Sequence, residues 1–221
     1  LIQLKYLMLN FLHYLVFHLK IGLDQKNKLY QKFMRSQSSK NTTIAVWGLG
    51  KHALNNILPS ISSSKCINLY GVFSRNISIV DSTCKKWKCR TWKNEEEMLS
   101  DKDLDVVFLS TPIGVHYSQG IKILRAKKHF WCEKPLTTSL HKTKRLVQES
   151  NKNKVTICES FMYLYHPHFK AVKEFIKNQE LGEIRSINIK FGLPKLENPG
   201  FRFNQKLGGS CLLDVGSYPL S

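Results

Sequence analysis

The sequence predicts an α/β fold: a doubly wound parallel sheet over residues 42–160, then the opening of a second domain over 161–221. Three observations carry this. From residue 42 onward, short apolar runs alternate with segments of helical period. A glycine-rich turn, Gly48-Leu49-Gly50-Lys51-His52-Ala53, directly follows the first of those runs. Near residue 160 the alternation stops and another pattern begins.

The first strand is Thr43 to Trp47, and the helix after the glycine turn runs through Leu54, Ile57 and Leu58 to Pro59. A second strand, Ile67 to Phe73, leads into Ser74-Arg75-Asn76. Asp105 to Ser110 is short and nearly all apolar, the pattern of a strand covered on both faces, and it ends at Thr111-Pro112. The next helix places Tyr117, Ile121 and Leu124 on one face. His129 to Cys132 is the following strand and delivers Glu133-Lys134-Pro135 at its carboxyl end. A helix through Leu140, Thr143, Leu146 and Val147 and a strand from Val155 to Cys158 complete the unit. Phe169, Val172 and Ile176 then mark an amphipathic helix stopped by Gly182, and the alternation from Ile184 to Phe191 predicts a half-buried strand opening a second sheet. After a loop, Leu207-Gly208-Gly209-Ser210 leads into a last helix, in a domain that these residues begin without finishing.

Composition excludes several classes. With 42% hydrophobic and 23% charged residues, the chain is an ordinary globular protein with a sizeable core. The formal charge of +18 is high, but the lysines are scattered and form no block of five, so the pattern of a nucleic-acid-binding face is missing. A solvated basic surface accounts for the charge, and so does a potential that gathers an anionic cofactor or substrate. The six cysteines show no C-x-x-C and no Cys/His spacing of a zinc site, so no metal is expected. Cys132 and Cys158 end apolar runs, where a reduced thiol acts as a small hydrophobe, and a cytoplasmic compartment follows.

Residues 1–41 are set apart as an extension, non-native or disordered. Tyr6 to Leu19 is apolar but is interrupted by Asn10, His13 and His18, and it is shorter than the roughly 20 residues that span a bilayer. Met34 is expected to lie near the true start, with 1–33 as translated upstream sequence; an interfacial helix is the other reading.

In the glycine turn, Gly48 and Gly50 permit a tight bend and close backbone approach to a pyrophosphate, and Ala53 permits close helix–strand packing. The helix that follows offers free N–H groups to the phosphates. A tight strand–helix turn without a ligand would share this pattern. After the second strand an NAD-binding chain usually places an acid on the ribose, whereas this one has Ser74-Arg75. A hydroxyl and a guanidinium suit a 2′-phosphate, which favours NADP over NAD. Lys134 stands at the carboxyl end of a strand, where ligands gather in open α/β sheets, although lysines more often sit on solvated faces. Asp214 and Tyr218 share a helix face by their i, i+4 spacing. A phenol facing the Lys134 ammonium would titrate below its usual value of about 10 and serve as proton donor or acceptor for a carbinol.

Taken in order, Gly48-x-Gly50-x-x-Ala53, Thr111-Pro112-x-x-x-His116, Glu133-Lys134-Pro135, Phe161-Met162-Tyr163-x-x-His166-Pro167 and Gly208-Gly209-Ser210-x-Leu212-x-Asp214-x-Gly216-x-Tyr218 resemble the glucose–fructose oxidoreductase / inositol dehydrogenase / rhizopine-catabolism (Gfo/Idh/MocA) family. The likeness covers about residues 42–221. It implies a Rossmann domain followed by a domain with a large, mostly antiparallel sheet, a homo-oligomer, and hydride exchange between NAD(P) and a hydroxyl or carbonyl carbon of a sugar, polyol or cyclic diol. It implies Lys134 as the residue that binds and polarises the reacting oxygen, with Asp214 and Tyr218 as the later catalytic pair. It also implies cofactor contacts at Gly48, Gly50, Lys51, His52, Ala53, Ser74, Arg75, Thr111, Pro112, His116, Glu133 and Lys134. Many members carry histidine where this chain has Tyr218. Tyrosine resembles the branch of glucose–fructose oxidoreductase, NADP xylose dehydrogenase and trans-dihydrodiol dehydrogenase, in agreement with Ser74-Arg75. Leu164 departs from the arginine often found there. A non-catalytic dinucleotide-sensing regulator on the same fold is the alternative, and the intact Lys134, Asp214 and Tyr218 argue against it.

Overall fold

The structure, a computed structural model, describes residues 42–221, so the readings made for 1–41 lie outside the described residues. Five parallel strands form one sheet: β1 (Thr42–Trp47), β2 (Ile67–Phe73), β3 (Val106–Leu109), β4 (His129–Glu133) and β5 (Ile157–Ser160). Their spatial order is β2-β1-β3-β4-β5, so the direction of winding reverses between β1 and β3. That reversal opens a crevice at the carboxyl ends of these two strands, the place where doubly wound sheets bind ligands.

The strands are apolar on both sides because both faces are covered. Along β1, Ala45 and Trp47 join one core cluster, with Val107, Leu109, Leu124, Phe130 and Leu146. Ile44 and Val46 point the opposite way, with Leu58, Ile61, Val72 and Phe108. The first cluster lies under α4 (Ile113–Arg125) and α5 (Leu140–Asn153), and the second under α1 (Leu58–Ser62) and α2 (Ile77–Trp87). The short α3 (Glu95–Ser100) adds Met98 to the first. Helix starts are set by side-chain caps: Asn76 accepts the Ile79 N–H at 3.3 Å ahead of α2, and Asn94 accepts the Glu97 N–H at 2.8 Å ahead of α3. Helix α5 buries Leu146 while Leu140 and Val147 stand exposed, so its inward face is narrower than the sequence suggests.

After β5 the construction changes. A 3₁₀ turn (Met162–Tyr165) leads into α6 (Pro167–Lys177), which buries none of its residues. That helix ends at Lys177 rather than at Gly182, with Gln179 in the left-handed region at φ 58°. The strand expected over Ile184 to Phe191 is not formed: residues 183–197 carry neither helix nor strand and are exposed throughout. Alternating apolar residues make a strand only when a neighbour satisfies the backbone N–H and C=O groups, and no strand lies beside this segment among the described residues. Two 3₁₀ turns, Gly200–Phe203 and Gln205–Leu207, bring the chain back to the first domain. Gly208, at φ 79°, lies so close to the start of α4 that a Cβ there would stand 2.8 Å from the Gly114 nitrogen. A π-helical turn (Leu212–Gly216) then runs into α7 (Ser217–Leu220).

Candidate active site

Gly48 and Gly50 do different work. Gly48 has φ 103°, its N–H donates to Phe73 O at 2.8 Å, and a Cβ would meet Ser110 O at 2.5 Å. Only glycine lets the turn seat between the ends of β2 and β3. At Gly50 a Cβ would meet nothing within 4 Å, so this residue presents bare backbone outward. The chain turns helical at Lys51, with Ala53 fully buried and the Leu54 N–H donating to Gly50 O at 3.0 Å. The leading amides of such a helix have no intrahelical acceptor and sit at its positive end, which fits a pyrophosphate. Beyond β2, Ser74 accepts the Asn76 N–H at 3.4 Å, and Arg75 is exposed with no ion pair among the described residues. Both therefore fit a 2′-phosphate.

Three predicted contacts are engaged within the protein. The Thr111 hydroxyl donates to Gln119 Oε1 at 2.6 Å, and Pro112 stands at the N-cap of α4. His116 is wholly buried, and burial lowers the pKa of its imidazole. Its Nε2 lies 2.8 Å from Thr111 O, and its Nδ1 lies 3.1 Å from Pro135 O and 3.3 Å from Cys132 Sγ. His116 thus braces the Thr111 loop against the Lys134 loop. From the edge strand, Glu159 accepts the Leu136 N–H at 2.7 Å and steadies the same loop, its carboxyl pushed up by burial.

His52 and Glu133 meet across the crevice, Nε2 to Oε1 at 3.2 Å. This hydrogen bond raises the His52 pKa against the opposing effect of partial burial. Beside them the Lys134 ammonium donates to Asp214 O at 2.5 Å and to Asp214 Oδ1 at 3.1 Å. It also stands over the Tyr218 ring, 4.5 Å from the centroid. The other Asp214 oxygen, Oδ2, accepts from Arg202 Nε at 2.8 Å. Tyr218 packs among Phe161, Tyr163 and Phe191, and its hydroxyl makes no hydrogen bond among the described residues. The expected lowering of the Tyr218 pKa is corrected here: burial raises it, aided by the negative charges of Glu133 and Asp214. The ammonium faces the ring and is matched by Asp214, so its field does not favour phenolate.

The structure therefore gathers Lys134, Asp214 and Tyr218 with His52 and Glu133 at one end of the crevice, and Gly48, Gly50 and Ala53 line the turn beside it. Arg202 and Glu159 escaped the sequence reading. Arg202 sits in a loop with no periodicity to flag it, whereas Glu159 could have been noticed as an acid at the carboxyl end of a strand. No helix among the described residues is long and apolar enough to cross a membrane.

A doubly wound sheet with a glycine turn at its switch point defines the class of dinucleotide-binding folds. The chain belongs to the Gfo/Idh/MocA oxidoreductase family with an NAD-binding Rossmann fold, whose family model matches residues 42–161. The family's C-terminal domain model matches residues 169–221. Among its relatives, the dTDP-3,4-didehydro-2,6-dideoxy-α-D-glucose 3-reductase of Saccharopolyspora spinosa is 31% identical over 180 residues, covering 81% of this chain and 54% of the relative. The trans-1,2-dihydrobenzene-1,2-diol dehydrogenase of Xenopus laevis is 27% identical over 129 residues, 58% of this chain and 39% of that enzyme. A crystal structure of a 3-ketoreductase from Actinomadura kijaniata, in complex with NADP and TDP-benzene, superposes with a TM-score of 0.77 at 27% identity, covering 82% of this chain and 56% of that one. The chain spans about half the length of the curated relatives it matches.

Proposed function

We propose that this chain carries the cofactor site and proton-transfer set of an NADP-dependent oxidoreductase acting on a CH–OH or keto carbon of a sugar-like substrate. The observation that carries the reading is Lys134: directly after the carboxyl end of β4, its ammonium is held by Asp214 and set over Tyr218. Gly48, Gly50, Lys51, His52 and Ala53 would hold the pyrophosphate, and Ser74 and Arg75 the 2′-phosphate. The relatives that reduce a dTDP-linked keto sugar, and the structural neighbour crystallised with NADP, support both the cofactor and the substrate class.

Bound NADP supplies or accepts the hydride. Lys134 donates to the substrate oxygen and stabilises negative charge building there. Tyr218 hands its proton to that oxygen in reduction and receives it back in oxidation. Its raised pKa keeps the phenol protonated across the neutral range, which suits carbonyl reduction. Asp214 fixes Lys134 and balances its charge. All six cysteines are free, which supports a cytoplasmic setting.

In the full-length protein, Lys134→Met and Tyr218→Phe are expected to lower turnover of a dTDP-linked keto sugar with NADPH by roughly 10²–10⁴-fold, the scale for losing a positioned acid–base group. NADP affinity, titrated by fluorescence, should hold. Near-normal turnover in both variants would remove the chemistry and leave only a nucleotide site.

A further inference from the structure

We propose that Arg202 is a positioning residue for this reaction, restraining the Asp214 carboxylate so that Lys134 keeps one N–H free for the substrate oxygen. The inference rests on the roles just given to Lys134 and Tyr218. An ammonium has three donors. Lys134 spends two on Asp214, one on its backbone oxygen at 2.5 Å and one on Oδ1 at 3.1 Å. The third remains for a ligand. Asp214 Oδ2 could reach for that third donor by a turn of the carboxylate, but Arg202 Nε engages it at 2.8 Å.

Arg202 is held for this work. Its η nitrogen donates to Pro199 O at 3.3 Å, and its guanidinium carbon lies 5.6 Å from the centre of the Phe201 ring. The Gly200–Phe203 turn folds over Gly209, where a Cβ would stand 2.3 Å from Phe201 O and 2.5 Å from Arg202 O. The Lys134 and Asp214 side chains are only 11% and 13% exposed, so a change in their pairing is poorly screened by water. Charge gives a second argument. The cations Lys134 and Arg202 both pair with Asp214 while Glu133 bonds His52, so removing Arg202 leaves the group around Tyr218 one positive charge poorer where an oxyanion must be met. Without Arg202 on Oδ2, the Asp214 carboxylate, one of the negative charges that raise the Tyr218 pKa, is less neutralised, and the phenol holds its proton to higher pH.

The test uses R202Q, R202K, D214N and the D214N/R202Q double variant of the full-length protein, with K134M and Y218F alongside. R202Q should lower kcat about ten- to a hundredfold, the scale of one charged hydrogen bond, without weakening NADP binding. It should also move the rise of the oxidation rate with pH upward. R202K should recover most of the rate. In the D214N background R202Q should add nothing further, because the residue acts through that carboxylate. An equal loss in both backgrounds, or a fall in kcat with the pH profile unmoved, would overturn the inference. Near-normal turnover of K134M and Y218F would instead overturn the reading beneath it.

Discussion

Residues 42–160 and 161–221 are built on opposite terms. In the first, β1 and β3 alternate their apolar side chains between two covered faces, and Ala45, Val46, Val107 and Leu109 are fully inaccessible. In the second, α6 buries no residue, and Ile187, Ile189, Phe191 and Leu193 are at least half exposed. The two are nonetheless joined at the point that matters: Asp214 and Tyr218 come from the second and Lys134 from the first. The difference lies in the packing of these 221 residues: the covered parallel sheet carries Lys134, and residues 161–221, which the family's C-terminal domain model matches from 169 onward, bring Asp214 and Tyr218 against it.

The sharpest way to break this comparison is to cut into each region in turn. Phe108→Ala, at a position 1% exposed, should destabilise the chain by about 3–5 kcal/mol in urea titration, through lost burial and a residual cavity. Ile187→Ser, at a position 73% exposed, should change stability by less than about 0.5 kcal/mol and should reduce light scattering of the 221-residue chain. Equal costs at the two positions would erase the contrast.

The proposed cofactor contacts all lie in the first region. Arg75→Ala should weaken NADP binding by about ten- to a hundredfold while NAD binding barely changes, since one charged contact to the 2′-phosphate is lost. Calorimetry showing NADP and NAD bound equally by the unmutated protein would remove this role.

A small, pH-dependent effect is expected at His52. Its hydrogen bond to Glu133 raises its pKa, so the associated stability is fully present below the unfolded value near 6.5 and is lost as pH rises through the folded value. The His52 side chain is 41% exposed, so the contribution is screened to below about 1 kcal/mol. Thermal melts of the unmutated protein and His52→Ala should therefore differ at pH 6 and converge at pH 9. A gap that widened toward alkaline pH would reverse the sign of the argument.

The sheet was legible because its signal is local. Apolar runs bounded by turns make buried parallel strands whatever follows them, and Gly48 marks a backbone that only glycine adopts. The strand expected at Ile184 to Phe191 failed for the complementary reason: alternation describes one edge of a pair and cannot supply the other.

The sequence by itself determined the doubly wound fold, the glycine turn, the family, and the identities of Lys134, Asp214 and Tyr218 as a set. Tertiary structure alone decided how that set is wired. Arg202 joins Asp214, the Lys134 ammonium lies over the Tyr218 ring, and burial beside Glu133 and Asp214 raises the phenol's pKa where sequence reasoning expected it to fall. Motif spacing records which groups are present. The sign of a pKa shift depends on their distances, facing directions and access to water, and those are fixed only when residues far apart in the chain are packed together.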